Sequence, residues 1–210
     1  MQDIINSNII TQKYIMVLDT ETTGLPLFSK YHTFYNPKDF TKYDISRVIE
    51  IGYYIYNIDG DIIKKNDILI KPSGFKIENS EIHGITNENA DINGVPLINA
   101  LEQFYIDLYK CDTIIAHNLK FDMNIILAEC YRNQKNNDNN ISIYSNIINK
   151  MSSMKQICTI QLAKDKLKLE KRIKLIDLYK MIIKKDWIQK HRAEDDARIC
   201  AECYWHLLQI

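Results

Sequence analysis

Apolar and polar positions switch period several times along this chain, and the switches mark its elements. "YIMVLDTE" (14–21) is a nearly continuous aliphatic run, the pattern of a central strand buried on both faces. Two further strand-like runs, 47–57 and 61–71, flank Asp59-Gly60, a hairpin signal. Pro96 opens a helix whose Leu97, Leu101, Phe104, Tyr105 and Leu108 share one face. "DTIIA" (112–116) predicts a short strand, and a helix follows over about 119–132. "KQICTIQLAKDKL" predicts a short strand and a helix, "LIDLYKMIIKK" another helix, and 193–208 the last one. Three stretches lack a clean period. Residues 25–46 predict a long loop or insertion, 80–95 a polar loop, and the Asn- and Ser-rich 133–153 a distal surface insertion, with a short helix near 144–150. The order predicts one α/β domain over 1–210, whose sheet starts as an antiparallel meander with the second strand opposed to the others.

Four carboxylates break these patterns. Asp19 and Glu21 are two apart on the first strand, so they share a face at its C-terminal end, where open α/β sheets bind ligands. Asp122 precedes Ile125, Ile126 and Cys130 by three, four and eight positions, which places it on the apolar face of its helix. Asp196 precedes Ile199, Cys200, Cys203 and Leu207 in the same way, near a helix N-terminus that favours an anion. Glu194, Arg198 and Glu202 form the exposed stripe of that last helix. Any one inward aspartate could cap a loop or pair with a buried arginine. Four converging carboxylates would need cations or protons to offset repulsion and desolvation. Lysine and arginine are scarce beside them, and oxygen donors without a Cys/His cluster select a hard ion such as Mg²⁺ or Mn²⁺.

Composition changes the picture in two places. Formal net charge is zero, yet residues 150–192 hold 13 basic and 4 acidic side chains, the pattern of a surface that meets a polyanion. The five cysteines are odd in number and suit an intracellular protein with free thiols. Cys200 and Cys203 form a lone CxxC in a helical pattern and are expected to be core residues. The sequence shows no apolar run of the ~20 residues that would span a membrane, and the first residues lack the pattern of a signal peptide.

"DTETTG" (19–24), "AHNLKFD" (116–122) and "HRAEDDA" (191–197) resemble, in order, the three motifs of the DEDDh family of 3′→5′ exonucleases. The likeness covers about residues 14–208 and is strongest to the branch that holds the proofreading (epsilon) subunit of bacterial replicative polymerases and its free-standing relatives. "EIHGIT" (81–86), "RVIEIG" (47–52) and "ICTIQLA" (157–163) resemble further blocks of that branch. The resemblance implies a ribonuclease H-like fold, a mixed five-stranded sheet in order 3-2-1-4-5 with strand 2 antiparallel. It implies that Asp19, Glu21, Asp122 and Asp196 hold two divalent metal ions and that His191 is the general base. Two ions ~3.5–4 Å apart would stabilise the attacking and leaving oxygens of phosphodiester hydrolysis, and an imidazole suits a base near neutral pH. His191, ahead of the last helix, is expected on a mobile loop that swings in when nucleic acid binds.

By the same resemblance Thr22 and Leu25 contact the terminal sugar and base, His83 and Ile85 flank the base, and Asn118 and Phe121 help hold the 3′ end. Read as residues alone, Asn118 could instead cap its helix, Phe121 could be core and His83 a loop residue. His117 is expected to be structural, and Tyr179 and Trp187 to be helix-face core. The basic segment becomes a candidate phosphate track. DNA is the favoured partner, RNA stays open, no membrane is implied, and there is room for a polymerase or repair partner. A non-catalytic nucleic-acid binder on a nuclease fold is the reading from a different class.

Overall fold

The computed structural model describes residues 13–135 and 141–210. Strand β1 (Tyr14–Thr22) is the middle of a five-stranded sheet completed by β2 (Val48–Tyr56), β3 (Ile62–Leu69), β4 (Cys111–Ala116) and β5 (Lys155–Cys158). The order is β3-β2-β1-β4-β5. β2 is antiparallel to β1 and β3, while β4 runs parallel to β1 and β5, so β2 alone is reversed, as the meander requires. This is the sheet of the ribonuclease H-like exonuclease fold.

Alternation along β1 decides which layer each side chain meets. Met16 and Leu18 enter one core with Ile51, Tyr53 and Ile114. Helices α3 (Leu97–Leu108), α4 (Leu119–Lys135) and α5 (Ile141–Ser153) close that core. Val17 enters the opposite core with Tyr54, Tyr56 and Ile115. That core is closed by α6 (Thr159–Leu167), α7 (Leu175–Ile183) and α8 (Ala193–Gln209). Continuing the alternation, Asp19 and Glu21 fall on the α8 side and Thr20 on the α4 side. Tyr179 is buried in the second core and Trp187 packs against it. Cys200 and Cys203 are buried there too, and all five cysteines are free. Among the described residues no helix is long and apolar enough to cross a membrane.

Three expectations need correction. The 80–95 stretch is not an irregular loop: it forms α1 (Ser80–His83) and α2 (Asn87–Asn93), the latter capped by the Thr86 side chain, which accepts from Asn89 N–H at 3.1 Å. The 133–153 stretch is not a distal surface insertion. Its residues 141–153 are α5, whose Tyr144, Ile147 and Met151 are buried in the α3–α4 core; residues 136–140 lie outside the described residues. Along α8, Arg198 pairs with Asp195 and Glu202 at 2.6 Å each. Glu194 instead takes the Tyr54 hydroxyl and lies 3.4 Å from Lys65 Nζ, because the N-terminal turn of α8 lies against β2.

The 25–46 segment is a loop as expected, with one 3₁₀ turn (Phe40–Tyr43). It is anchored rather than loose. Tyr43 is buried and donates to Tyr35 O at 2.6 Å, and Arg132 of α4 donates to Phe40 O and Asp44 Oδ1.

Candidate active site

The C-terminal end of β1, the first turn of α4 and the first turn of α8 meet at one point. Thr20 brings α4 in. Its backbone N–H and its hydroxyl both donate to Asp122 Oδ1, at 3.0 and 2.9 Å, so Asp122 is tied to the residue between Asp19 and Glu21. Asp196 reaches the same point from α8: one carboxylate oxygen and His191 and Glu21 offer donor atoms all within 4.8 Å of one another. Asp196 Oδ2 accepts from Gln189 Nε2 at 2.6 Å, while Asp196 Oδ1 is buried and has no hydrogen-bond partner among the described residues. Four carboxylates therefore converge.

Their protonation behaviour follows from that crowding. Burial is the first cause that pushes Asp19 well above the ordinary carboxylate range, and Asp122, Asp196, Glu21 and Glu50 add repulsion. Burial also raises Glu21, with repulsion from Asp196, Glu50 and Asp122 against a weak counter-effect of Arg192. Asp122 and Asp196 are raised as well, again by burial first, although hydrogen bonds from Thr20 and Gln189 pull them partly back. Four acids in mutual repulsion, one of their oxygens without a donor among the described residues, fit hard divalent cations in donor type and charge.

Glu50 is a fifth acid here, itself fully buried, and sequence reasoning assigned it no role. It faces Glu21 across the β1–β2 ladder and is 0% exposed. Its carboxylate accepts from Arg192 Nε at 3.0 and 3.1 Å and from the Ala193 backbone N–H at 2.8 Å. Glu50 thus spends its charge on the start of α8 and on the residue next to His191. Gly52, opposite Asp19, makes room for this: a Cβ there would lie 2.1 Å from Glu194 N. Glu50 was detectable as the one charge inside the apolar β2 run. Gln189, in a loop, carried no signal.

His191 departs from expectation. The segment expected to hold it away from the site places it there. Gln189 holds Asp196, Trp187 Nε1 donates to Asp195 Oδ2 at 3.1 Å, and Arg192 holds Glu50, so both sides of His191 are tied down. The residue itself takes a left-handed backbone (φ +50°), which turns the chain sharply into α8.

The remaining predicted contacts separate into two groups. Thr22 donates its hydroxyl to Gly24 O at 2.8 Å, and Leu25 stands 66% exposed beyond it. Asn118 is left-handed (φ +84°) and accepts from Arg172 Nη2 at 2.7 Å, which links the basic segment to the start of α4 rather than capping that helix with its side chain. Phe121 is partly buried and its ring lies 6.1 Å from that of Phe34. These four stand around the acids on β1 and α4. His83 and Ile85, by contrast, are buried at 3% and 1%. His83 Nδ1 accepts from Ile85 N–H, and Ile85 packs with Ile49, Ile77 and Ala90, which leaves neither an open face for a base. His117 is structural in its contacts: its ring nitrogens meet Thr159 Oγ1 at 2.9 Å and Ile173 O at 3.0 Å, and burial lowers its pKa to about 4.

The family model described as "Exonuclease" matches residues 16–204 of the chain. No curated protein matches it in sequence. Among solved structures it is similar to E. coli exonuclease I in complex with a dA16 oligonucleotide, at 15% identity and TM-score 0.64, over 94% of this chain and 41% of that one. It is also similar to a 3′-exonuclease in 3′-end specific recognition of a histone mRNA stem-loop (13% identity, TM-score 0.64, 94% of this chain and 64% of that one). A third is the moderately thermophilic exonuclease I of Methylocaldum szegediense (14%, TM-score 0.63, 94% and 40%). The chain thus spans about two fifths of the length of the exonuclease I chains.

Proposed function

The chain belongs to the exonuclease family, and from that premise we propose that it is a metal-dependent 3′→5′ exonuclease releasing nucleoside 5′-monophosphates from single-stranded or frayed 3′ ends of DNA. One observation carries this reading: Asp19, Glu21, Asp122 and Asp196 repel one another in a crowded, largely desolvated cluster to which no cation among the described residues is directly bonded. They would hold two divalent ions, which would supply Lewis-acid stabilisation of charge at the scissile phosphate. Thr20 and Gln189 fix the orientation of Asp122 and Asp196. His191, beside Glu21 and Asp196, takes the proton of the attacking water. Thr22 and Leu25 meet the terminal nucleotide, and Asn118 and Phe121 help hold the 3′ end. Arg172 and the lysines around it supply sequence-independent attraction to phosphates.

RNA is the second reading, since a similar structure is that of an exonuclease recognising a histone mRNA stem-loop. The deciding experiment incubates 5′-labelled DNA and RNA single strands side by side with Mg²⁺ or Mn²⁺. Stepwise shortening from the 3′ end of DNA, faster than of RNA, is the expected result, and Asp19→Ala should leave both intact. Equal nucleotide release by that variant would dissociate the activity from this site.

A further inference from the structure

The 25–46 segment holds six aromatic residues in 22 positions, Phe28, Tyr31, Phe34, Tyr35, Phe40 and Tyr43, and two of them are displayed rather than buried. Residues 28–34 form a small hairpin. Phe28 pairs with Phe34 across an antiparallel bridge, and Ser29 N–H donates to Thr33 O at 2.9 Å. The turn is tightened by the Ser29 hydroxyl, which accepts from the N–H groups of Tyr31 and Thr33 at 3.2 and 3.3 Å. Tyr31 at the tip is 73% exposed and Phe28 41%.

The hairpin is joined to the catalytic end of the sheet in two ways. It begins three residues after Leu25. Its rings also form a line, Phe28 to Phe34 at 5.1 Å and Phe34 to Phe121 at 6.1 Å, that ends on the residue before Asp122. Its base is rigid: Leu27 N–H donates to Lys42 O, Tyr43 is buried, and Arg132 holds Phe40 O and Asp44. Lys30 lies 4.9 Å over the Tyr31 ring and Lys42 5.3 Å over Tyr35, so cations alternate with ring faces. Displayed rings on a rigid stem cost hydration and order nothing inside the fold. Rings interleaved with lysines suit bases stacked along a phosphate chain.

We propose that the 28–34 hairpin is a stacking platform for the bases just upstream of the 3′-terminal nucleotide, with Tyr31 and Phe28 as its contact faces and Lys30 beside the backbone. The proposal rests on the exonuclease reading above and names how that site would grip a single strand. It makes the enzyme's affinity depend on upstream bases, independent of their identity, because every base has a π face.

The test measures binding of a dye-labelled single-stranded oligonucleotide, its last linkage a phosphorothioate, by fluorescence anisotropy. A second oligonucleotide carries abasic sites at the three positions before the 3′ nucleotide. Phe28→Ala/Tyr31→Ala should bind the natural strand about tenfold or more weakly than wild type and the abasic strand equally well. Tyr31→Ala alone, at an exposed position, guards against loss of the hairpin and should show a smaller deficit that Tyr31→Trp restores. Undiminished binding by the double variant would overturn the proposal. So would an equal loss on both strands, which would assign the hairpin a role without stacking. Faster digestion of blunt duplex by the variants with unchanged single-strand binding would make it a barrier to the second strand, and would overturn the proposal too. Hydrolysis of thymidine 5′-(p-nitrophenyl phosphate) by wild type, a substrate with no upstream base, tests the catalytic centre separately. Its failure would count against the nuclease reading, whereas its success beside undiminished variant binding would remove only the platform.

Discussion

Two groups of buried acids in this molecule solve the same problem in opposite ways. Away from the catalytic end, Asp107 receives the Tyr53 hydroxyl at 2.9 Å and Lys110 Nζ at 3.1 Å and is paired with Lys64. Glu129 receives Arg47 Nε at 2.6 Å and Nη2 at 3.0 Å, and Arg132 Nη1 at 2.7 Å. Burial alone would push Asp107 up, but its donors more than reverse that and its pKa is lowered. At the catalytic end the donors are neutral, Thr20 to Asp122 and Gln189 to Asp196, and the carboxyls are raised. The nearest guanidinium, Arg192, is committed to Glu50. Unequal compensation separates acids that the fold pairs with its own cations from acids that it leaves to repel one another.

The sharpest way to break that contrast is to neutralise one acid in each group. Asp19→Asn should reduce Mg²⁺-dependent nucleotide release to background while raising the melting temperature of the metal-free protein at alkaline pH, where the native carboxyl would otherwise have to ionise against its neighbours; about 1 kcal/mol would appear as roughly 2–4 °C. Glu129→Gln should do the reverse. It leaves two arginines without their buried partner, which costs about 3–5 kcal/mol, or roughly 10 °C, with the catalytic residues untouched. Melting curves and nucleotide release on both variants read the comparison directly. The same sign of stability change in both would mean that the two groups are not different in kind.

Next in size is the response to pH and metal. The clustered carboxyls have folded-state pKa values above those of the unfolded chain, Glu21 rising to about 9 and Asp122 to about 7. The folded protein therefore holds extra protons between the ordinary carboxylate range and about pH 9, and metal-free stability should fall as pH rises through that window. Asp107 contributes with the opposite sign: its stabilisation is present above the unfolded value and is lost as pH falls through its lowered folded one. Melting temperatures in a chelator should decline from pH 5 to 9. Mn²⁺ or Mg²⁺ should restore them most at the alkaline end, where ligands are deprotonated, by about 2.7 kcal/mol at a hundredfold excess over Kd. A flat chelator profile would contradict the crowded cluster.

How much of this contrast could be read beforehand depends on periodicity. Asp122 and Asp196 stood out because a helix repeats every 3.6 residues and their apolar followers fixed the inward face. Asp19 and Glu21 were visible as charges ending an apolar strand. Glu50 was visible as a charge inside an apolar strand, but its place beside Glu21 needs the β1–β2 register, which is a tertiary fact. Of helix α5 the sequence suggested only a short piece near 144–150 on a surface insertion, because Asn and Ser cover its outer face; Tyr144, Ile147 and Met151, which recur at i, i+3 and i+7, are buried. Ile85 shows the converse: motif resemblance suggested a base contact, and the packing with Ile49, Ile77 and Ala90 places it in a core.

Glu50 is the position where the two kinds of acid meet, since it is buried beside the cluster yet carries its own guanidinium. Glu50→Gln keeps the shape and removes the charge that holds Arg192 and the Ala193 N–H. The start of α8, and with it His191 and Asp196, should lose orientation. A fall of about 10–100-fold in turnover is expected, in kcat more than in KM for an oligonucleotide. A loss confined to KM would instead make Glu50 part of the substrate surface.

The smallest change probes a single neutral donor. Thr20→Val deletes the hydroxyl that donates to Asp122 at 2.9 Å but keeps the backbone N–H at 3.0 Å, so the carboxylate loses one of its two bonds to β1. A hydrogen bond to a charged group contributes about 1.5–3 kcal/mol, and the remaining donor will retain part of that. The hydroxyl favours the ionised form, so its loss moves the Asp122 pKa further upward. In the nuclease assay the acidic limb of the pH–rate profile should shift to higher pH, with a modest fall in rate at the plateau. The protein should melt within a few degrees of wild type, because valine fills the same volume on the α4 side. An unshifted limb would mean that ions, once bound, override the neutral donors entirely, and that only the count of carboxylates, rather than their orientation by Thr20, matters at this end of the sheet.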